Sequence, residues 1–429
     1  MIHKKLIPHI FIKNGIAVTG FFDNRVFAEG DVVKLAQHYS NNGADELIIF
    51  DLSNTDSEHD QSLKLIKEIS REIDIPILGG GNIKRVEDVK KLIYAGCKKA
   101  FLNMAKKSNL DLMPEVSKRF GKEKIAACAD NFALLNEQKE LLETYTSEVL
   151  LLGDNLHLYE AVSAVSVGAV PILSLLDKEK MIALLSIEQV SGISGNLLSD
   201  PAIDLMELKS ELKRRGITVN TYESTLNWSD FKLNSDGMMP VVVQDYKTQE
   251  VLMMAYMNEQ AFDTTIKTGK MTYWSRSRNE LWTKGLTSGH LQYVKELRID
   301  CDNDTILAKV SQVGAACHTG HQSCFYRDLV KKEYDNTNPM KVFEDVYGVI
   351  KDRKDHPKEG SYTNYLFDKG IDKILKKVGE EATEIVIAAK NPDPEEIKYE
   401  VSDFLYHVMV LMVERGVTWE DITKELAQR

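Results

Sequence analysis

The first half of this 429-residue chain repeats one pattern, a short β-branched and apolar run followed by an amphipathic stretch. Runs at residues 6–12, 46–51, 75–78, 99–102, 124–128, 148–152 and 170–173 read as strands, with a weaker one near 190–194. Stretches such as 31–41 and 85–94 carry helical periodicity between them. Parallel strands need long crossover connections, so strict alternation of this kind leaves few folds open. About eight such units imply a (β/α)8 barrel over residues 1–222. Gly79-Gly80-Gly81 follows the third run. Backbone amides there, close to a helix start, suit a phosphate, and a simple turn is the plainer reading.

After residue 222 the alternation stops, and residues 223–330 read as a β-rich α+β domain. Residues 241–245 suggest a strand, and residues 250–257 carry a methionine-rich helical face of the kind that usually packs into a core. Arg276 and Arg278 stand at i, i+2, which on a strand shares one face, with Lys284 nearby. Arginines among serines suit a forked phosphate clamp, and equally a solvated face. Thr287-Ser288-Gly289-His290 is a small-residue turn presenting an imidazole, an acid–base candidate.

Residues 300–324 carry the strongest chemical signal. Three of the five cysteines, Cys301, Cys317 and Cys324, lie here with Asp300, Asp302, Asp304, His318 and His321. Thiolates suit zinc and carboxylates suit magnesium. On an extended strand the three aspartates line one face and Cys301 the other, so one strand feeds two different metal sites. On a helix Cys317 and Cys324 would stand about 10 Å apart. Sulfurs sharing a tetrahedral zinc lie roughly 3.8 Å apart. The segment must therefore fold back, or a second subunit must supply part of the site.

Residues 331–340, with Asn336, Asn338 and Pro339, read as a linker, and residues 341–429 as an all-α domain. Residues 370–390 form an amphipathic helix with Glu381 inside the apolar stripe and Glu384 one turn on. Residues 395–414 repeat this with Glu400 and Asp403. A carboxylate on an apolar face is costly unless paired or metal-bound, so two facing helices of this kind make an oxygen-rich magnesium site. Lys351, Arg353 and Lys354 suit phosphate contact or a solvated basic loop.

Length calls for two to three domains. A net charge of −11 excludes a broad nucleic-acid or anionic-membrane surface. The start of the chain, broken by Pro8, His9, Lys13 and Asn14, is no signal peptide, and no apolar run approaches a membrane span. Five unevenly spaced cysteines suit a reducing cytoplasm.

Three resemblances follow from these motifs. Residues 8–15, Gly43-Ala44-Asp45-Glu46-Leu47 and Gly79-Gly80-Gly81 resemble the cyclase subunit of imidazole glycerol phosphate synthase, fairly continuously to about Asp130. That family's first catalytic aspartate falls on Phe11 and its second on Asp130. Its second phosphate loop falls on Ser174-Leu175-Leu176. The resemblance thus implies a degenerate TIM-like barrel without that chemistry. Gln244-Asp245, Ser275-Arg276-Ser277-Arg278, Leu281-Trp282, Thr287-Ser288-Gly289-His290, Asp300-Cys301-Asp302 and Cys317-His318-Thr319-Gly320 look like phosphoribosyl-AMP cyclohydrolase. This implies zinc on Cys301, Cys317 and Cys324, drawn from both subunits of a homodimer, and magnesium on Asp300, Asp302 and Asp304. His290 and His318 are then catalytic candidates, with Arg276, Arg278, Lys284 and Ser288 on the substrate. Glu381-x-x-Glu384 and Glu400-x-x-Asp403, with residues 360–363 and 377–382, resemble phosphoribosyl-ATP pyrophosphohydrolase. There Glu381 is the catalytic candidate, and all four acids are magnesium ligands acting on an ATP-derived substrate. Together the last two imply a bifunctional hydrolase of histidine biosynthesis. The alternatives are a zinc-stabilised scaffold and a general nucleotide pyrophosphohydrolase fused to it.

Overall fold

The computed structural model describes residues 3–154, 158–335, 337–391 and 394–427. The chain divides into two compact units, Met1–Asp328 and Leu329–Arg429. The barrel-like and sheet-rich parts, expected as separate domains, both fall in the first.

In that unit a curled parallel sheet runs strand to neighbouring strand through His9–Lys13, Leu47–Asp51, Ile77–Gly80, Lys99–Asn103, Ile125–Ala129, Glu148–Leu152, Gly168–Leu173 and Gly192–Gly195. The strands fall where the apolar runs place them, within two or three residues. Pro8 lacks an N–H and interrupts the first strand. The piece before it, Lys5–Leu6, pairs in parallel with Gly192 and Ile193. The N-terminal segment therefore pairs with both ends of the curled sheet. Successive side chains alternate faces. Phe11, Ile48, Phe50, Leu78, Phe101, Leu150 and Val170 pack inside the curl. Ile10, Ile12, Leu47, Ile49, Leu102 and Val149 meet the surrounding helices. Both faces are covered, which is why these strands read as continuous apolar runs.

At the N-terminal ends of the strands Lys5 reaches Glu46 (3.0 Å) and Glu148 (3.5 Å), and Lys99 reaches Glu148 (3.0 Å). Burial pushes Glu46 above the usual carboxylate range, whereas Lys5 and Lys99 hold Glu148 below it against the same desolvation. At the opposite ends the glycine triplet has a packing reason. A Cβ on Gly80 would come within 2.4 Å of the Phe101 ring, and one on Gly81 within 2.0 Å of the Asp51 carbonyl.

Four more strands form a second sheet in the order Val251–Met257, Met239–Asp245, Ile306–Gln312, Gln292–Ile299. The helix Glu259–Thr268 and the hairpin Thr272–Ser275/Glu280–Thr283 accompany it. The methionine-rich segment is a strand, not a helix. Met253 and Met257 point into the core, while Met254 between them is 42% exposed. The barrel part holds this sheet through polar contacts. Asp74 accepts from Tyr246 Oη (3.0 Å) and pairs with Lys295 (2.8 Å). Asp204 pairs with Lys270 (3.2 Å), and Tyr222 Oη donates to the Val294 carbonyl (2.6 Å).

The second unit is helical: Pro339–Asp355, Tyr362–Lys369, Ile371–Ala388, Pro394–Arg415 and Trp419–Leu426. Among the described residues it has no strand. The first helix opens at Pro339, a residue suited to an initial helical turn, so it starts inside the stretch read as a linker. Asn336 of that stretch lies outside the described residues. Ser361 and Thr418 cap their helices by accepting from Asn364 N and Asp421 N. Ile350, Leu366, Ile374, Met409, Val410 and Val413 form the core. Among the described residues no helix is long and apolar enough to cross a membrane.

Candidate active sites

The strands Gln292–Ile299 and Ile306–Gln312 are joined by a turn over residues 300–305, where an extended strand was expected. Asn303 takes the left-handed conformation at φ 64°. Asp300 Oδ1 accepts the N–H groups of Asp304 (2.9 Å) and Thr305 (3.2 Å). The turn, not strand alternation, gathers Asp300, Asp302 and Asp304 so that one carboxylate oxygen from each lies within 4.8 Å of the others. Desolvation raises the Asp300 carboxyl, but the N–H groups of Asp304 and Thr305 hold it below its ordinary value. Asp304, hydrogen-bonded to Asp300, is raised. An exposed, all-oxygen cluster suits a hard cation. Cys301 is exposed in the same turn.

The other end of this strand pair carries the second cluster. The 317–324 loop folds back: Cys317 N–H donates to the His321 carbonyl (3.1 Å) and Ala316 N–H to the Gln322 carbonyl (3.3 Å). Cys324 N–H anchors the loop on the Leu252 carbonyl (2.7 Å). The Cys317 and Cys324 thiols act electrostatically on each other, and Lys284, only 7% exposed, acts on both. Thr319 and then Cys324 and Lys284 draw the Cys317 thiol below its ordinary value. Burial, then Cys317, pushes Cys324 up. Desolvation lowers Lys284. Ser288 Oγ accepts the His290 N–H (3.3 Å). The His290 ring lies against Gly314, where a Cβ would come within 2.7 Å of it. His318 and Ser288 are exposed.

Sequence reasoning placed His321 in the cluster but gave it no role; its Nδ1 meets Thr319 Oγ1 (2.9 Å) and its ring stacks on Tyr326 at 3.7 Å. Its four-residue spacing from Cys317 was the available signal. Arg276 and Arg278 sit in the 276–279 turn rather than on a strand face. Arg276 lies over Tyr256 (4.1 Å), and Arg278 lies over Trp282 (5.8 Å) and pairs with Glu280 (3.3 Å). They do not share one face.

In the helical unit Glu381 (4% exposed), Glu384 and Glu400 bring carboxylate oxygens within 4.8 Å of one another. Asp403 is outside this group and exposed, and its backbone carbonyl faces His407 Nδ1 (2.8 Å). Lys377 Nζ pairs with Glu381 (3.0 Å) and Glu380 (3.1 Å), which raise its pKa. Burial, then Glu381 and Glu400, pushes Glu384 above its ordinary value. His407, buried, approaches Glu381 through Nδ1 (3.6 Å) and meets Tyr362 Oη through Nε2 (3.0 Å). Tyr362 and Lys377 lie in the stretches that carry the resemblance but were given no role, although Lys377 stands one turn before Glu381 on the same helix; His407 was not singled out, because periodicity marks a face and not the partner across it.

At the C-terminal ends of the curled sheet Phe11 lies in a phenyl cluster, 5.1 Å from Phe50. Asp130 is exposed, beside a separate small cavity of about 20 Å³. Asp154 accepts the N–H groups of Ser174 (3.2 Å) and Leu175 (3.1 Å).

An acidic turn at one end of a small strand pair, two neighbouring thiols at its other end, and a carboxylate triad between helices together define a two-site, metal-suited hydrolase. Residues 253–326 match the phosphoribosyl-AMP cyclohydrolase family, residues 343–429 phosphoribosyl-ATP pyrophosphohydrolase, and residues 5–163 a histidine biosynthesis protein family. The histidine biosynthesis bifunctional protein HisIE of Thermoanaerobacter pseudethanolicus is 56% identical over 209 residues, 46% of this chain and 97% of that protein. The HisIE protein of Bacillus subtilis is 45% identical over 200 residues, 47% of this chain and 95% of that protein. The chain belongs to the bifunctional HisIE family. It combines phosphoribosyl-AMP cyclohydrolase and phosphoribosyl-ATP pyrophosphohydrolase activities in histidine biosynthesis, with a further α/β region that those relatives do not align to.

Proposed function

We propose that the helical unit releases pyrophosphate from phosphoribosyl-ATP at Glu381, Glu384 and Glu400, and that the small sheet then opens the adenine ring of phosphoribosyl-AMP between N1 and C6. The carboxylate triad suits magnesium, which when bound neutralises phosphate oxygens. Lys377 pairs with Glu381, His407 lies beside it with Nδ1 facing the Asp403 carbonyl, and Asp403, outside the triad, is the fourth acid offered to the metal. In the sheet, Asp300, Asp302 and Asp304 suit a second magnesium. The thiols of Cys317 and Cys324 suit zinc, which when bound lowers the pKa of a water to about 7. Arg276, Arg278, Lys284 and Ser288 orient the phosphoribosyl groups, and His290 or His318 moves the proton during ring opening. Free, metal-suited thiols fit a reducing, cytoplasmic setting.

One observation carries the zinc reading. Cys301 stands at one end of the paired strands Gln292–Ile299 and Ile306–Gln312, while Cys317 and Cys324 stand at the other. A strand pair of this length spans roughly 20 Å, far beyond a shared ion. On this reading Cys301 of the partner subunit completes the site, which supports a homodimer. Mixing Cys301→Ala with Cys324→Ala chains under subunit exchange should restore ring opening, because one of the two sites in the mixed dimer keeps all three thiols. Proven exchange without rescue would rule the shared site out.

The curled sheet is best read as a degenerate, non-catalytic (β/α)8 barrel. Phe11 offers no proton and Asp130 stands alone. The Asp154 carboxylate occupies the Ser174 and Leu175 amides that a second phosphate would need.

A further inference from the structure

The 317–324 loop carries a chain of contacts that neither hydrolytic reaction has yet been given. Thr319 Oγ1 lies 3.0 Å from Cys317 Sγ, and His321 Nδ1 lies 2.9 Å from the same oxygen. We propose, resting on the reading of Cys317 as a zinc ligand, that His321 is a positioning residue for ring opening: it turns the Thr319 hydroxyl so that its proton points at the Cys317 sulfur.

The direction of the chain follows from its protons. A hydroxyl has one proton to give, and its oxygen can also accept. A cysteine sulfur that ligates a metal is a thiolate and can only accept. Thr319 must then donate to sulfur, which leaves its oxygen no proton for the ring. His321 Nδ1 must therefore carry a hydrogen and donate to Thr319 Oγ1. A bare nitrogen at that place would draw the hydroxyl proton toward the ring and away from sulfur. The loop is built to hold this arrangement. Gly320, at φ 87°, reverses the backbone between the two side chains in a conformation that glycine adopts without strain. Cys317 N–H donates to the His321 carbonyl (3.1 Å) and Gly320 N–H to the Cys317 carbonyl (3.1 Å), which closes the turn. The His321 ring lies flat on Tyr326, with centroids 3.7 Å apart and planes within 5°. Stacking of this kind restrains an exposed imidazole that would otherwise rotate. A hydrogen bond to a thiolate is charge-assisted and draws electron density from the sulfur. A less donating sulfur leaves a zinc-bound water more acidic, which is what ring opening asks of the site.

The test loads the full-length protein with zinc, or with cobalt, beside Thr319→Val, His321→Phe and His321→Asn. Thr319 and His321 are both exposed, so none of these changes opens a hole in the core. His321→Phe keeps a ring on Tyr326 and removes the donor, whereas His321→Asn returns an N–H near the place of Nδ1. Zinc affinity, read by competition with a chromophoric chelator, should fall ~10–100-fold in Thr319→Val and in His321→Phe. In both, the sulfur-to-cobalt charge-transfer band should move to longer wavelength, because a sulfur without its hydrogen bond gives up an electron more readily. His321→Asn should lie near wild type in both readouts. The double variant Thr319→Val/His321→Phe should bind zinc no more weakly than Thr319→Val, since the two side chains act through one proton. Wild-type affinity and band position in His321→Phe would overturn the proposal. So would His321→Asn behaving like His321→Phe, or losses that add in the double variant. Wild-type zinc affinity in Cys317→Ala would overturn it together with the zinc reading, so the two failures are told apart.

Discussion

His9 is a buried imidazole in the first strand, facing Ser194 Oγ (3.0 Å) and Ser199 Oγ (3.1 Å). Burial pulls its pKa down to about 4. The unfolded chain takes up this proton near 6.5. Between the two values the unfolded state binds more protons, so stability rises with pH across that window. On acidification it is lost from about 6.5 down to about 4 and no further, on the order of 3 kcal/mol from this group. His9→Gln should shrink the shift in urea midpoint between pH 7 and pH 4.5 relative to wild type. Glu381 is the proposed catalytic carboxylate. Glu381→Gln should abolish pyrophosphate release and leave ring opening of supplied phosphoribosyl-AMP intact, with both products followed in one assay; loss of both in a folded variant would refute independent sites. The sequence betrayed Glu381 because a carboxylate inside an apolar stripe needs a partner. It did not betray His407, whose position depends on which helix lies opposite, whereas Lys377, one turn before Glu381 on the same helix, was legible there but was given no role.

The turn over residues 300–305 is the element on which most of the cyclohydrolase reading hangs. Asn303 sits at φ 64°, a conformation that asparagine and glycine accept and β-branched residues resist. Asn303→Gly should leave magnesium affinity and ring opening near wild type. Asn303→Val should cost about 1–2 kcal/mol of stability and weaken magnesium binding in a calorimetric titration, by spreading the aspartates. The strands of the curled sheet were legible because both their faces are apolar. The turn was not, since alternating Asp-Cys-Asp-Asn-Asp mimics strand periodicity until the pairing of residues 299 and 306 closes it. The methionine run misled for the opposite reason. Met253, Met254 and Met257 suit a helix stripe, but pairing with Met239–Asp245 makes the segment a strand. Arg276 and Arg278 likewise fall just past the point where the Thr272–Ser275 strand ends.

At the scale of the whole molecule the barrel part and the small sheet share one compact unit, yet the HisIE relatives align to less than half of this chain. Deleting residues 1–222 should therefore leave both hydrolytic activities measurable. Asp74 and Asp204, which hold Lys295, Tyr246 and Lys270, are lost with them. The truncated chain should consequently melt lower and aggregate more readily than the full chain in a thermal scan. If instead either activity disappears from a soluble truncated protein, the barrel part contributes to a hydrolase site. The division at Pro8 has a consequence in time. Lys5 and Leu6 find their partners in Gly192 and Ile193, roughly 190 residues later in synthesis. At about 5–20 residues per second, the emerging N-terminal end waits on the order of 10–40 seconds before the strand that completes its pairing exists. Until then it is an unpaired apolar edge, the kind of surface that chaperones and neighbouring chains recognise.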